Sequence, residues 1–170
     1  MKTAGKPYGG AEMKNKLKIV PLLIALALPL AVGGLSALLT GTSMMMYDSF
    51  VKPPLSPPGW VFPVVWTVLY VLMGLASYLV YSSGASPVRI QRALSFYAVQ
   101  LALNFFWPLI FFRLQMYLTA FLWLAALWVL VLICTLLFWY IRKPAGQLFL
   151  PYLVWCSFAL YLNLFVYLLN

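Results

Sequence analysis

Two carboxamides and several aromatic residues at helical spacing are the side chains in this sequence best placed to do chemistry. Gln100, Asn104, Trp107 and Phe111 fall at i, i+4, i+7 and i+11, so one helix face carries both amides beside a large indole. An amide surrounded by hydrocarbon is costly unless paired, which makes each a candidate to contact a ligand. The same spacing serves an interhelical hydrogen bond equally well. Upstream, Phe62, Trp66, Tyr70 and Gly74 share a second face, with Gly74 expected to leave space beside the rings. Downstream, Trp155, Ala159, Leu162 and Asn163 form a third stripe, where alanine again gives room between larger groups. Broad aromatic walls with a few polar contacts suit a flat, apolar small molecule. Ordinary packing between helices is the competing reading in a chain that is 18% aromatic.

What the chain lacks excludes other chemistries. It has no histidine, only Glu12 and Asp48 as acids, and two separated cysteines, Cys134 and Cys156, inside apolar runs. No metal site of ordinary ligand number can be assembled from these, no Ser-His-Asp or Cys-His arrangement is possible, and no resident cofactor is expected. The eleven Lys and Arg against two acids would suggest nucleic acid in a soluble protein. A composition 65% hydrophobic and 8% charged, with mean hydropathy +0.98, instead makes lipid the main solvent, and nucleic acid is not an expected partner.

These faces must be positioned by membrane-spanning elements. Five apolar stretches are each long enough to cross roughly 30 Å of hydrocarbon at about 1.5 Å per residue. They read as about 19–39, 60–82, 93–112, 117–141 and 148–169. All are expected to be helices, because isolated strands would leave backbone groups unpaired in lipid. The reading is an all-α integral membrane protein, a single five-helix domain over 19–170 behind a basic, disordered tail at 1–18. The apolar length of the first span exceeds that of a signal-peptide core, so it is expected to stay uncleaved; Met13 is a candidate natural start. Pro108 is expected to kink the third span and free a carbonyl near Asn104.

Only the connection from Thr40 to Gly59 is long, and it contains Pro53, Pro54, Pro57 and Pro58. Proline fixes φ and removes backbone donors, so this loop can lie against an embedded bundle at little ordering cost, as a lid. Tyr47 and Asp48 stand at its head, and Asp48 is expected to anchor it through Lys52 or Arg113, or else to face water. Lys2, Lys6, Lys14, Lys16, Lys18, Arg89, Arg92, Arg142 and Lys143 fall on one side of the membrane, Lys52 and Arg113 on the other. In a bacterial cell membrane this places the N-terminus in the cytoplasm and the lid outside.

Lys52-Pro53-Pro54-Leu55-Ser56-Pro57-Pro58-Gly59-Trp60, followed by Trp66, Leu69-Tyr70 and Met73-Gly74, resembles the signature of the translocator protein family (TspO/MBR). That signature has tryptophan where Leu55 stands here. Leu103-Asn104-Phe105-Phe106-Trp107-Pro108, with Phe111 and Phe112, is similar to a second family segment. Pro151-Tyr152, Trp155, Phe158-Ala159 and Leu162-Asn163 are similar to a third, and Tyr47-Asp48 to the family element before Lys-Pro.

The resemblance implies a five-helix bundle whose pocket opens toward the first loop and binds protoporphyrin IX or other apolar small molecules. Tyr47, Phe62, Trp66, Tyr70, Gln100, Asn104, Trp107, Phe111, Trp155, Ala159 and Asn163 are the expected ligand contacts. The absence of histidine favours a metal-free porphyrin or haem held without His ligation. Transport or stress sensing is the leading expectation. The alternatives are a light- and oxygen-dependent porphyrin-degrading enzyme using Trp66 and Trp155, and a scaffold. For the scaffold, Gly33-x-x-x-Ala37 and Ala98-x-x-x-Ala102 offer helix interfaces, including that of a homodimer. Animal members carry a cholesterol pattern near the C-terminus; 164–170 has no basic residue, and only Leu137-x-x-Tyr140-x-Arg142 fits it loosely.

Overall fold

The computed structural model describes residues 18–41 and 43–170, so all of the expected tail except Lys18 lies outside the described residues. The described chain is helical, with five helices long and apolar enough to cross a membrane. They are α1 (Ile19–Thr40), α3 (Val61–Tyr81), α4 (Pro87–Pro108, continued by a π-helical turn at Leu109–Arg113), α5 (Tyr117–Ile141) and α6 (Lys143–Leu169). A seven-residue helix, α2 (Ser43–Ser49), lies in the first connection. It is too short for apolar periodicity to have shown it.

The helix starts move outward from their apolar cores. The third span begins at Pro87 rather than Ala93, and the fifth at Lys143 rather than Leu148. Proline near a helix start costs no hydrogen bond, since the first N–H groups have no intrahelical partner. Arg89 and Arg92 are exposed in the added turns, where long stems hold the charge beyond the hydrocarbon. Between α5 and α6 only Arg142 departs from helix, at ψ 111°. Gly146 permits so tight a reversal: a Cβ there would lie 2.7 Å from the Trp139 Cα.

The core joins α3, α4, α5 and α6 through Met73, Val80, Ala93, Val131, Phe138, Phe149 and Cys156. Tyr97, Phe138 and Phe149 meet pairwise at ring centroids of 4.9–6.1 Å. Cys134 and Cys156 are free thiols in this packing. Helix α1 leans on α3 and α4, and at Gly74 the backbones come so near that a Cβ would sit 2.6 Å from the Ala25 carbonyl oxygen. The space expected beside Gly74 is therefore filled by the α1 backbone.

Pro108 acts as a break with consequences. It has no N–H for the Asn104 carbonyl, and Leu109 N–H bonds to the Phe106 carbonyl instead of the Phe105 carbonyl. The Ser36 hydroxyl donates to the freed Phe105 carbonyl at 2.8 Å, tying α1 to α4. The chain then widens into the π-helical turn, which Leu114 N–H closes onto the Leu109 carbonyl at 3.0 Å.

Candidate functional site

A cavity of about 360 Å3 opens between α1, α3, α4 and α6. This is within the size range of small-molecule sites, roughly 300–1,000 Å3. Helix α3 contributes Phe62, Trp66 and Tyr70; α4 and its π-helical turn contribute Asn104, Trp107 and Phe111; α6 contributes Ala159, Leu162 and Asn163. Tyr47 of α2 closes the rim. Trp107 stacks on Phe111 at 5.3 Å, and Trp66 lies 5.6 Å from Tyr70, so large ring faces line the space. Every lining side chain is uncharged.

Helix α1 supplies a wall that the sequence reading did not assign. Gly33, Ser36, Ala37 and Thr40 line the cavity, and Gly33 admits the Tyr70 ring, which occupies the place a Cβ would take. The only hint in the sequence was a run of small and hydroxyl residues in an otherwise leucine-rich span. The Gly33-x-x-x-Ala37 stripe is thus used within the chain, whereas Ala98 and Ala102 face outward on α4.

Two expected contacts stand away from the cavity wall. Gln100 is fully buried one turn below Asn104 and accepts a hydrogen bond from the Tyr152 hydroxyl at 3.0 Å. Its Nε2 lies 3.8 Å from the Met73 sulfur. Trp155 lies on the flank of α6 beside an apolar groove shared with α3, and touches the cavity wall through Phe62, ring centroids 5.9 Å apart. Trp155 lies one turn before Ala159, which lines the cavity with Leu162 and Asn163.

The remaining polar groups divide sharply by whether they have partners. Asn104 accepts from the Tyr70 hydroxyl at 2.7 Å and donates to the Tyr152 hydroxyl at 2.8 Å. With Gln100 these make a buried chain across α3, α4 and α6. Thr40 donates to the Ser36 carbonyl, and Tyr47 to the Pro57 carbonyl at 2.9 Å. By contrast, among the described residues Asn163 Nδ2, Asn163 Oδ1 and Trp107 Nε1 on the cavity wall, and Trp155 Nε1 beside it, are buried without a partner.

The lid is held at several points. Tyr161 donates to the Pro54 carbonyl at 2.9 Å, and the Asn170 side chain accepts from Val51 N–H at 3.0 Å while donating to its carbonyl at 3.3 Å. Phe50 meets Phe111 and Tyr117 edge-on at 5.8 and 5.5 Å. Asp48 pairs with Lys52 at 3.0 Å, and the Lys52 ammonium lies 4.6 Å from the Tyr47 ring centre. Arg113 is used elsewhere, donating to the Leu39 carbonyl at 3.3 Å. Pro53 is buried; Pro54 and Pro58 stay exposed on the outer side of the loop. Leu55, in the place of the family's tryptophan, sits at φ 69° and is 83% exposed.

Five membrane-length helices around a neutral, aromatic cavity define an integral membrane protein with an interior cavity. Residues 25–168 match the TspO/MBR family. The chain belongs to this family. It is 36% identical over 154 residues to tryptophan-rich protein TspO of Chlorobaculum tepidum, covering 90% of this chain and 98% of that protein. It is 41% identical over 117 residues to the tryptophan-rich sensory protein of Cereibacter sphaeroides, covering 69% and 72%. It is also similar to the translocator protein of Ovis aries, 36% identical over 124 residues, covering 72% and 73%.

Proposed function

We propose that the protein binds a planar tetrapyrrole of the protoporphyrin type in the lidded cavity, in carriage or sensing. The relatives named sensory protein and translocator protein are consistent with either role. One observation carries the reading: the space is bounded by ring faces of Phe62, Trp66, Tyr70, Trp107 and Phe111 and contains no charged side chain. Such walls stack on a flat apolar body, while the loop excludes water from its upper edge. With the N-terminus in the cytoplasm, the lid faces the opposite side of a bacterial cell membrane, and ligand exchange takes place there.

The test is a titration of the purified protein with protoporphyrin IX, followed by the porphyrin absorption band and by indole quenching. Saturable binding is expected, and Ala159→Phe, which fills the cavity from α6, should abolish it with helicity retained by circular dichroism. Undiminished binding in the filled variant would place the porphyrin elsewhere and defeat the proposal.

A second reading, photo-oxidation of the bound porphyrin, draws support from one arrangement. Trp66 sits on the cavity wall within 5.6 Å of Tyr70 and 6.0 Å of Tyr152, a cluster of oxidisable rings beside any excited ligand. Trp155 is not among the residues lining the cavity and meets the lining residue Phe62 edge-on at 5.9 Å. The enzyme reading therefore rests on Trp66 more than on Trp155.

A further inference from the structure

The unspent polar groups of the cavity specify what a ligand must bring. Of the hydroxyls lining it, those of Ser36, Thr40, Tyr47 and Tyr70 already donate within the protein, and each end of the Asn104 amide has one protein partner, while the Trp107 indole N–H is an unpaired donor with no acceptor beside it in the same group. Asn163 differs: it is 2% exposed, lines the cavity, and has neither its Nδ2 donor nor its Oδ1 acceptor paired among the described residues. A buried amide left unpaired on both sides is rare in native structures and destabilises the empty protein. A primary amide presents donor and acceptor side by side, and the group that satisfies both at once offers an acceptor and a donor in the same order.

We propose that Asn163 is a specificity-determining residue that selects ligands carrying an uncharged donor–acceptor edge: a lactam, a carboxamide or an un-ionised carboxylic acid. An ionised carboxylate fits poorly, because it has no proton for Asn163 Oδ1 and the lining offers no cation to offset its desolvation. An ester also fits poorly, since it accepts but cannot donate. Among the described residues, Lys52 is paired with Asp48 and Arg113 donates to the Leu39 carbonyl at the α1 terminus. For porphyrins this rests on the tetrapyrrole reading above; for the edge itself it rests on Asn163 alone.

Two matched probe sets separate these dependencies. The first is protoporphyrin IX as its diamide, its dimethyl ester and its free acid; the second is 2-quinolinone against N-methyl-2-quinolinone, which lacks the N–H. We expect the diamide to bind about tenfold more tightly than the ester, and 2-quinolinone more tightly than its N-methyl form. The free acid should bind more tightly as pH falls through the range in which its carboxyls protonate. Asn163→Leu should remove both preferences while raising the thermal midpoint of the ligand-free protein, since an unpaired amide is replaced by hydrocarbon. Ester and diamide binding equally, together with equal binding of the two quinolinones, would overturn the inference while leaving the carrier reading intact. A fall in the ligand-free midpoint of Asn163→Leu would also overturn it, by showing that the amide already has a partner. If no porphyrin binds but the quinolinone preference persists and is lost in Asn163→Leu, the tetrapyrrole reading fails and the role of Asn163 stands.

Discussion

Replacing Asn104 with leucine should destabilise the bundle, because the amide that lines the cavity also bonds to two neighbouring helices. Asn104 is 3% exposed and joins Tyr70 on α3 to Tyr152 on α6. Leucine removes two hydrogen bonds, each worth about 0.6 kcal/mol on average between membrane helices and up to about 1.7. It also strands the Tyr70 hydroxyl, whose only acceptor among the described residues is Asn104, at a cost of about 1–3 kcal/mol for a buried unsatisfied group. The Tyr152 hydroxyl keeps Gln100 as acceptor and adds little. The expected loss is about 2–4 kcal/mol, measured by reversible unfolding in mixed micelles. Tyr70→Phe alone should cost about 1 kcal/mol, and in the double variant the stranded hydroxyl no longer exists. The two changes should therefore be non-additive by about 1 kcal/mol or more, against the roughly 0.3–0.5 kcal/mol scatter of independent sites. Additive losses would mean that Tyr70 and Asn104 do not share a bond. A large loss of ligand affinity in Asn104→Leu without loss of stability would return its amide to the ligand.

Three further outcomes follow from the geometry. Pro57→Gly with Pro58→Gly keeps the Pro57-site carbonyl that Tyr47 bonds but frees the loop, at about 0.4–1 kcal/mol per site; dissociation measured by stopped flow should quicken several-fold, and unchanged kinetics would show that the loop does not cover the cavity. Gly74→Ala should destabilise by about 1–3 kcal/mol in thermal unfolding, because the new methyl would meet the α1 backbone at Ala25 and Leu26, which cannot rotate away. Trp66→Phe and Trp155→Phe should both retain most porphyrin affinity in titration. Any protein-dependent bleaching under light should fall in Trp66→Phe and change much less in Trp155→Phe, so equal loss in both would contradict the placing of Trp66, and not Trp155, on the cavity wall.

Much of this protein was legible without coordinates. Hydrocarbon tolerates no unpaired backbone, so long apolar runs had to be helices of membrane length, and their number and order could be counted. The 3.6-residue period placed Phe62, Trp66 and Tyr70 on one face, and clustered prolines marked the one connection able to cover a site. What only tertiary structure decided is which polar groups are spent. Gln100, Asn104 and Asn163 are alike in sequence, each an amide in an apolar run. Tyr70 lies 34 and Tyr152 48 residues from Asn104, and no local pattern announces that these hydroxyls converge on it. Gln100 shares that convergence, whereas Asn163 does not, so two amides hold the bundle and one faces the cavity unpaired. The same dependence on neighbouring helices fills the space beside Gly74 with α1, makes α1 a cavity wall, and leaves Trp155 beside a groove between α3 and α6 instead of on the cavity wall. Periodicity assigns a residue to a face of its own helix; what that face meets depends on helix rotation and crossing, which long-range packing sets.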